Sequence, residues 1–444
     1  MEKKIFIKTF GCQMNEYDSK RIYDFVEAIG YKKTESVEQA DCHVLNTCHI
    51  REKATDKVYH HVGRIKKKFR NKKKPIVIIT GCVAQAEGDL ILEKEKYIDA
   101  VIGPQSYHKF NETLLKIEKD KTKLNFTDFN TIDKFDKLSQ NKNSNSNVSS
   151  FLTIQEGCDK FCNFCVVPYT RGAEFSRSFD ELISESNDLA NNGVKEITLL
   201  GQNVNAYNFE GKKLSNLIRE IEKIKKIDRI RYTTSHPVDF SEDLIEVHAS
   251  SKKLMPLIHL PVQSGSNKIL KAMNRKHTVE DYLNLIDKIL KANPLIKFSS
   301  DFIIGYPGET DQDFQDTLNL LRKVKYIHSY SFMFSARPGT PAFEMKQTES
   351  SVAKERLIIF QEISEKIKLD YRQNILNNKS TVLFENRIKN GKNFFGRDEY
   401  FNAVIVESKK DLKGNIKRVK IIDGNQNSFK GKIASEVDNQ IVEA

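Results

Sequence analysis

Apolar residues along the first 110 positions recur in two alternating patterns, one typical of buried strands and one typical of amphipathic helices. Short apolar runs predict four strands at residues 5–9, 43–46, 76–80 and 101–103. Between them, the helical spacing of apolar residues predicts one helix that ends at Gly30 and another at residues 51–69. This alternation indicates an α/β fold, with a doubly wound parallel sheet as the amino-terminal domain.

A second series of alternating strands and helices begins at Phe151. Six apolar runs predict strands at residues 151–155, 196–200, 229–233, 255–260, 298–303 and 329–334. Helical spacing marks the stretches between them, among them residues 180–191, 214–224, 279–292 and 312–324. Repeated βα units of this length favour a parallel barrel, complete or partial, and an open doubly wound sheet is the alternative.

The pattern changes again after a predicted helix at residues 352–377. Short segments with period-two alternation, separated by Gly and Asn, occur at residues 382–385, 403–407, 419–422 and 429–433. They predict a small all-β barrel. A polar, low-complexity stretch at residues 138–150 reads as a linker, so we expect domains at residues 1–137, 151–376 and 377–444.

Lys and Arg residues of the last domain are interleaved with four aromatic residues: Phe394, Phe395, Tyr400 and Phe401. Such a surface suits single-stranded nucleic acid, because bases stack on aromatic rings while cations meet phosphates. The alternative is that the rings fill the core of the small barrel, and we expect this of some of them.

The chain of 444 residues carries 72 Lys and Arg against 60 Asp and Glu, a formal net charge of +12. This excess indicates either an ordinary basic surface or a polyanionic partner such as a nucleic acid, and charge alone does not choose. The basic stretch at residues 64–74 leaves the same choice between nucleic-acid phosphates and a solvated helix end. No stretch approaches the roughly 20 apolar residues that span a membrane, so we expect a cytoplasmic protein with no membrane partner.

Three of the seven cysteines form a CxxxCxxC motif after the first strand of the predicted barrel: Cys158, Cys162 and Cys165, the barrel cysteine set. Parallel barrels place their chemistry at the carboxyl ends of their strands. Three thiolates can hold three irons of a [4Fe–4S] cluster and leave the fourth iron open for a ligand. A structural zinc site requires four protein ligands, and no fourth Cys or His lies at suitable spacing.

Three further cysteines each directly follow a predicted strand of the first domain: Cys12, Cys48 and Cys82, the amino-terminal cysteine set. The carboxyl ends of strands in a parallel sheet share one edge, so these three loops should converge there. We infer a second site of three thiolates with its own open iron. Cys42 lies at the opposite end of its strand and is expected to be structural. His43 and His49 are expected to be packing or surface residues rather than ligands.

The CxxxCxxC loop resembles that of the radical S-adenosylmethionine superfamily. A wider set of motifs resembles the methylthiotransferase family, and this similarity covers nearly the whole chain. The motifs are TFGCQMN at 9–15, NTC at 46–48, GCVAQ at 81–85, PYTRG at 168–172, GQNV at 201–204, SHP at 235–237, PVQSGS at 261–266, IIGYPGET at 303–310 and RPGT at 337–340.

This resemblance implies that each cysteine set holds a [4Fe–4S] cluster, giving two clusters, and that S-adenosylmethionine is the co-substrate. Residues in the strand-end motifs become candidates for contacts to S-adenosylmethionine: Gly201, Gln202, Ser235, Gln263, Ser264, Gly305 and Pro307. The last domain resembles the TRAM domain, an RNA-binding barrel. The implied partners are the anticodon stem-loop of a tRNA and an electron donor such as flavodoxin or ferredoxin.

Within the family, residues 48–54 (CHIREKA) resemble the signature of members that act on dimethylallyl-adenosine. The implied reaction is methylthiolation of C2 of that nucleoside at position 37 of tRNA, next to the anticodon. Alternatives within the family act on threonylcarbamoyl-adenosine in tRNA or on an aspartate of a ribosomal protein. The alternative of a different class is a non-enzymatic iron–sulfur protein that binds RNA as a redox sensor.

C2 of adenine carries an unactivated C–H bond, which side-chain acids and bases do not deprotonate in their usual titration range. Radical abstraction suits such a bond, and the cofactor then supplies the difficult chemistry. The resemblance implies that one S-adenosylmethionine methylates a sulfur at the amino-terminal cysteine set, while a second gives a 5′-deoxyadenosyl radical at the barrel cysteine set. Both sites must then face one cavity, so we expect the sheet edge to dock over the barrel mouth.

Overall fold

The computed structural model describes residues 2–48, 54–128, 147–389 and 391–434 of the chain. His49, most of the CHIREKA signature and most of the predicted linker lie outside these residues. No helix in the described part is long and apolar enough to cross a membrane.

The amino-terminal domain contains a six-stranded sheet in which all neighbouring strands are parallel. Its strands are β1 Lys3–Thr9, β2 Tyr31–Lys33, β3 Cys42–Thr47, β4 Ile76–Gly81, β5 Ala100–Ile102 and β6 Leu124–Phe126, in the order β2-β1-β3-β4-β5-β6. Its helices are α1 Gln13–Glu27, α2 Ala54–Lys68, α3 Cys82–Glu87, α4 Asp89–Lys94 and α5 Phe110–Asp120. The doubly wound sheet expected from the sequence is confirmed, with β2 and β6 as additional edge strands.

Helices cover both faces of this sheet, as the near-continuous apolar character of its central strands requires. On one face, α1 and α5 bury Ile22, Val26 and Leu114 against the strands. On the other face, α2 and the two short helices bury a second cluster that includes Val58 and Val62. The strands whose carboxyl ends carry cysteines, β1, β3 and β4, are adjacent in the sheet.

The central domain contains ten strands: β7 Ser149–Thr153, β8 Gln155–Glu156, β9 Phe175–Ser176, β10 Glu196–Leu200, β11 Asn208–Phe209, β12 Lys212–Lys213, β13 Arg229–Thr233, β14 Leu257–His259, β15 Lys297–Ile304 and β16 His328–Met333. Six of them follow one another in parallel as β7-β10-β13 and β14-β15-β16, joined by a parallel bridge between Ile230 and Leu254. In the described part of the chain the outer edges of β7 and β16 pair with no other strand. The domain is therefore a partial barrel.

Helices of the central domain are α6 Val167–Arg171, α7 Phe179–Asn191, α8 Leu214–Glu222, α9 Glu242–Ser250, α10 Asn267–Ala272, α11 Val279–Ala292, α12 Asp311–Val324 and α13 Ser350–Ile375. Short 3-10 helices occur at Val37–Gln39, Pro104–Lys109, Val204–Ala206, Pro237–Asp239 and Pro341–Glu344. Capping boxes start α11 and α12, where Thr278 and Thr310 exchange hydrogen bonds with the residues three positions later. The apolar sides of these helices pack with the strands into one large core.

The last domain is a closed five-stranded barrel. Its strands are β17 Lys379–Arg387, β18 Asn393–Arg397, β19 Ala403–Glu407, β20 Ile416–Gly424 and β21 Phe429–Ile433. Strand β18 was not predicted from the sequence. Its residue Phe394 is 1% exposed in the barrel core, which confirms the expectation that some of the aromatic rings fill that core.

Two arginines of β13 join the C-terminal barrel to the central domain. Arg229 donates a hydrogen bond to the Thr381 carbonyl at 2.6 Å, and Arg231 donates one to the Asp398 carbonyl at 2.8 Å. The rings of Tyr400 and Phe401 take part in the same contact, because Tyr400 donates to the Leu295 carbonyl and Phe401 lies under Arg231. The C-terminal barrel therefore docks at the amino-terminal half of β13, opposite the end where the cysteine loop follows β7.

Candidate active site

The amino-terminal cysteine set lies where three adjacent strands end. Cys12 is the N-cap residue of α1, Cys48 directly follows β3, and Cys82 is the first residue of α3. Two glycines permit this convergence. A Cβ atom on Gly11, whose φ is +113°, would lie 2.2 Å from Cβ of Cys48. A Cβ on Gly81, whose φ is +90°, would lie 2.2 Å from the Thr47 carbonyl oxygen.

Electrostatics favour the thiolate form of Cys12 in this set. The pKa of Cys12 is lowered to about 6, chiefly because Cys48 hydrogen-bonds to it, with smaller contributions from the Arg171 guanidinium and amides at the start of α1. Cys42 behaves in the opposite way. It is fully buried in the core at the start of β3, and burial raises its pKa well above the ordinary value. The structure thus places Cys42 apart from the set, as expected.

The barrel cysteine set lies in a loop framed by the paired strands β8 and β9. The Cys165 amide donates to the Cys162 carbonyl at 2.9 Å, which folds the loop back on itself. Arg275 donates to Sγ of Cys162 at 3.6 Å. Burial raises the pKa of Cys158 and of Cys165 to about 12, so both need a bound metal to become thiolates at neutral pH.

Each cysteine set lines its own cavity. The larger cavity, of about 600 Å³, is lined by the barrel cysteine set, and the smaller one, of about 160 Å³, by the amino-terminal set. Four residues line both cavities and form the wall between them: Val166, Val167, Gln202 and Thr234. The sheet edge therefore does dock over the mouth of the partial barrel. The two cysteine sets line two adjacent cavities with a shared wall, rather than the single cavity expected from the sequence.

Residues proposed from the sequence to contact S-adenosylmethionine lie in three different places. Gln202, Ser235 and Gln263 line the larger cavity, and Gly201 lines the smaller one. The remaining three, Ser264, Gly305 and Pro307, lie outside the lining of both cavities. Ser264 instead hydrogen-bonds to Thr317 of α12, and Gly305 packs closely against Ala353 of α13.

Four buried polar atoms in the larger cavity have no hydrogen-bond partner among the described residues: Oδ1 of Asn203, Oγ of Ser235, Nε2 of His236 and Nε of Arg275. Their side chains are 5% exposed or less. Buried polar groups are nearly always hydrogen-bonded in folded proteins. Unpaired polar atoms on residues that line one cavity are consistent with a site for a polar ligand. Burial, aided by the nearby Arg275, lowers the pKa of His236 to about 2, so its imidazole is neutral.

Arg275, His236 and Lys57 line the larger cavity but were not predicted as site residues from the sequence. His236 lies inside the SHP motif, so that motif was the available signal. Arg275 lies in none of the motifs. Lys57 belongs to α2 of the amino-terminal domain and reaches the lining of the larger cavity only because the domains dock.

Buried ion pairs hold the amino-terminal domain on the partial barrel. Arg171, at the end of α6, lies 2.8 Å from the Asp18 carboxylate of α1. A second cluster joins Arg21 of α1 and Arg177 to Glu185 of α7. Removing one partner from such a buried pair leaves an uncompensated charge. These contacts therefore fix the position of the sheet edge over the barrel mouth.

The donor atoms of both sets fit iron–sulfur clusters. Cysteine thiolates are the usual ligands of such clusters, with one thiolate for each ligated iron. In the part of the chain that the structure describes, no three His, Cys, Asp or Glu side chains converge closely enough to hold a single metal ion. The cysteines of each set line a cavity.

Comparison with known proteins places both domains in described families. Residues 4–103 match the uncharacterized protein family UPF0004, and residues 152–321 match the radical SAM superfamily. Among solved structures, the radical S-adenosylmethionine methyltransferase TsrM from Kitasatospora setae superposes with a TM-score of 0.56. It is 13% identical, and the match covers 77% of each chain, so this similarity shows the fold alone.

Curated relatives match over the full length. The tRNA-2-methylthio-N(6)-dimethylallyladenosine synthase of Pelagibacter ubique (strain HTCC1062) is 57% identical over 99% of this chain and 100% of its own. The enzyme of that name from Wolbachia pipientis subsp. Culex pipiens (strain wPip) is 50% identical over 97% of this chain and 99% of its own. The central domain of this chain is a radical SAM domain. The chain belongs to the family of tRNA-2-methylthio-N(6)-dimethylallyladenosine synthases.

Proposed function

We propose that this protein places a methylthio group on C2 of dimethylallyl-adenosine in tRNA. The observation that carries the proposal is that the two cysteine-lined cavities are adjacent and share four lining residues. Methylthiolation of a C–H bond requires that the bond be broken and that sulfur be delivered to the same carbon. Two cysteine-lined sites that lie side by side can serve these two tasks on one substrate, one for breaking the bond and the other for delivering sulfur.

Each cysteine set would hold one [4Fe–4S] cluster, giving two in all. The barrel cysteine set, in its CxxxCxxC loop, would hold the cluster that binds S-adenosylmethionine. When bound and reduced, these groups supply a 5′-deoxyadenosyl radical able to break an unactivated C–H bond. The protein contributes positions: β8 and β9 fix the loop, and Arg275 donates a hydrogen bond to the Cys162 sulfur.

S-adenosylmethionine would occupy the larger cavity beside the barrel cysteine set. Ser235 and Gln263 line this cavity, and Gln202 does so from the wall. The Gln202 side chain also accepts a hydrogen bond from the Gly157 amide at 2.7 Å, which couples the wall to the residue before Cys158. The unpaired Oγ of Ser235 is the strongest candidate for a direct contact to the co-substrate.

The target base would enter the larger cavity from its open side, at the edge strand β16. Ile303, Phe332 and Leu357 give this part of the lining an apolar surface that suits a dimethylallyl group. Lys57 lines the cavity from the other domain and could meet a phosphate of the bound strand.

The RNA partner in this proposal is the anticodon stem-loop, with the modified nucleoside at position 37. A base in a single-stranded loop leaves its stack at least cost, and a base must leave its stack to enter a cavity of the protein. The electron donor would be a small redox protein such as flavodoxin or ferredoxin. We also retain the domain limits 1–137, 151–376 and 377–444 as a proposal. The start of β17 at Lys379 supports the last limit, whereas β7 begins at Ser149, two residues before the proposed start of the central domain.

A substrate comparison tests this function. Anaerobically reconstituted protein is incubated with S-adenosylmethionine, a reductant and tRNA carrying either dimethylallyl-adenosine or threonylcarbamoyl-adenosine. Mass spectrometry of the nucleosides should show a methylthio product with the first tRNA only. A product with the second tRNA only would overturn the proposed substrate. No formation of 5′-deoxyadenosine above background with either tRNA would overturn the radical mechanism.

A further inference from the structure

Arg275 is a buried cation for which the described part of the chain supplies no carboxylate. It lies just after α10, lines the larger cavity and is 5% exposed. Nη2 donates to the Pro261 carbonyl at 2.6 Å, and Nη1 donates to Sγ of Cys162 at 3.6 Å. Among the described residues, no hydrogen bond or ion pair joins its guanidinium to an Asp or Glu side chain. A guanidinium stays charged when buried, so this charge needs a partner.

Other buried arginines of the chain have the partner that Arg275 lacks. Arg171 lies 2.8 Å from the Asp18 carboxylate, and Arg177 lies 2.9 Å from that of Glu185. Buried charges in proteins are normally paired in this way, because an isolated charge is costly to remove from water. In the described residues, the one side-chain atom that accepts a hydrogen bond from the guanidinium of Arg275 is a cysteine sulfur. Its opposite charge is therefore expected at the barrel cysteine set.

Two neighbouring histidines respond to this positive charge. Burial is the first cause, and the charge of Arg275 the second, that lowers the pKa of His236 to about 2 and the pKa of His277 to about 4. Both imidazoles are therefore neutral at pH 7 and leave the charge of Arg275 as it is. The contact with Cys162 thus joins an uncompensated cation to a cluster-binding cysteine.

The chemistry of the site shows what such a cation does. A [4Fe–4S] cluster held by three thiolates is an anion overall, and accepting one electron makes it more negative. Net charge and hydrogen bonds to the sulfurs are two of the factors that set the reduction potential of such a cluster. A cation at a ligand sulfur stabilises the reduced form more than the oxidised form, and burial strengthens the effect because the local dielectric constant is low.

We propose that Arg275 is the counter-charge of the cluster at the barrel cysteine set and raises the reduction potential of that cluster. The electron comes from the small redox protein of the proposed function, or from dithionite in vitro, and remains on the cluster. Arg275 acts through the Cys162 sulfur, so it is a positioning residue rather than a catalytic one. This inference rests on the proposed function, since it requires a cluster at this set, and it adds the residue that makes the cluster easier to reduce.

A potentiometric titration of the reconstituted holoprotein, followed by electron paramagnetic resonance without S-adenosylmethionine or tRNA, tests the inference. A parallel sample with S-adenosylmethionine identifies the signal of the cluster that binds it. Arg275→Gln removes the charge and should make reduction of this cluster about tenfold less favourable, which lowers the potential by about 59 mV. Arg275→Lys keeps the charge but loses the forked donor, so its reduction equilibrium should stay within about threefold of the wild type.

Lys57→Gln is the matched control. It removes a positive charge that lines the same cavity, but Lys57 is exposed, so water and salt screen it. The reduction equilibrium of this variant should stay within about twofold of the wild type. Iron content equal to that of the wild type shows that each variant retains its clusters.

A second measurement needs no uncharged variant and so remains valid if Arg275→Gln loses its cluster. The protein is prepared with arginine carrying ¹⁵N in its guanidinium group, and electron–nuclear double resonance is recorded on the reduced state. A ¹⁵N coupling to the cluster signal is expected in the wild type, because Nη1 of Arg275 donates to the Cys162 sulfur. This coupling should disappear in Arg275→Lys.

A lower potential in Arg275→Gln, with the Lys57→Gln control unchanged, would support the inference. A wild-type potential in Arg275→Gln would overturn it, and weaker binding of S-adenosylmethionine in that variant would then make the co-substrate the partner of the cation. Identical ¹⁵N couplings in the wild type and Arg275→Lys would also overturn it. A reconstituted wild type with iron for one cluster only counts against the proposed function instead.

Discussion

Arg21 of α1 donates a hydrogen bond to Glu185 of α7, across the boundary between the amino-terminal domain and the partial barrel. Arg177 donates to the other carboxylate oxygen of Glu185 at 2.9 Å. All three side chains are at most 11% exposed. Burial alone would raise the pKa of Glu185. The two guanidinium groups lower it by more, so the pKa of Glu185 lies below its ordinary value. The carboxylate therefore stays charged at neutral pH and ties the two domains together.

Replacing Glu185 by Gln should destabilise the protein by about 3–5 kcal/mol, because the buried guanidinium groups of Arg21 and Arg177 lose the carboxylate they share, and Arg21 keeps only its longer ion-pair contact with Asp24. Chemical denaturation of the wild type and the variant measures this loss. Glu220→Gln provides the control, since Glu220 pairs with Lys223 on the surface and its loss should change stability by about 0.5 kcal/mol or less. Equal effects of the two substitutions would contradict a structural role for the buried pair.

The two cysteine sets should have separable effects on the reaction. Cys82→Ala should abolish methylthiolation while S-adenosylmethionine is still cleaved to 5′-deoxyadenosine, because the barrel cysteine set remains intact. Cys162→Ala should abolish both products. Each variant should contain about half the iron of the wild type, since one of the two clusters is lost. Methylthiolated tRNA from Cys82→Ala would contradict the assignment of separate tasks to the two sets.

Cys42→Ala is the matched control for these variants. Cys42 is fully buried in the core, and its strand end is remote from the edge where the amino-terminal cysteine set lies. The substitution should leave iron content and both products unchanged and cost only packing energy. Loss of iron in this variant would mean that the set has been assigned incorrectly.

Acid should weaken the folded state through buried neutral histidines, of which His248 is an example. Burial lowers the pKa of His248 to about 3 from an ordinary value of 6.5, and its Nε2 lies 2.6 Å from the Tyr232 hydroxyl. The unfolded chain takes up a proton as the pH falls below the ordinary value, whereas the folded chain does not. The contribution to stability is therefore complete above that value and declines below it, by about 1.4 kcal/mol per pH unit.

His248→Gln can keep a hydrogen bond to Tyr232. It should reduce the slope of unfolding free energy against pH between pH 6 and 4, because about one proton fewer is taken up on unfolding. Denaturant titrations at several pH values measure this slope in both proteins. Identical slopes would contradict a neutral buried imidazole at this position.

The aromatic residues of β18 should divide between core and surface. Phe394→Ala should destabilise the C-terminal barrel by about 3–5 kcal/mol, because its ring is buried among apolar side chains. Phe395→Ala should cost far less, since that ring is partly exposed and contacts the Arg397 guanidinium. Thermal unfolding distinguishes the two. A stable Phe394→Ala variant that loses RNA binding would contradict the assignment of this ring to the core.

The sequence was sufficient to predict the cysteine sets because their geometry follows from topology. Once β1, β3 and β4 are known to be parallel and adjacent, residues that follow them must share an edge. Short edge strands such as Tyr31–Lys33 were missed, because three residues are too few to show a period. Strand β18 was missed because its neighbouring phenylalanines, Phe394 and Phe395, obscure the alternation of apolar and polar positions.

The residues that line the larger cavity were harder to predict from the sequence than the cysteine sets. Ser264 and Gly305 belong to strand-end motifs, but they pack against α12 and α13 rather than line a cavity. A motif alone does not distinguish a packing turn from a ligand contact. Lys57 reaches the cavity from another domain, and that contact depends on docking between elements far apart in sequence.

The most direct test of the central claim follows, in one reaction, the hydrogen removed from C2 of the target adenine and the methylthio group added there. Reconstituted protein is given S-adenosylmethionine, a reductant and dimethylallyl-tRNA deuterated at C2 of the target adenine. We expect the 2-methylthio nucleoside to form and deuterium to appear in 5′-deoxyadenosine, because both cavities act on one carbon. A methylthio product without deuterium transfer, or neither product from protein with its full iron content, would contradict the account.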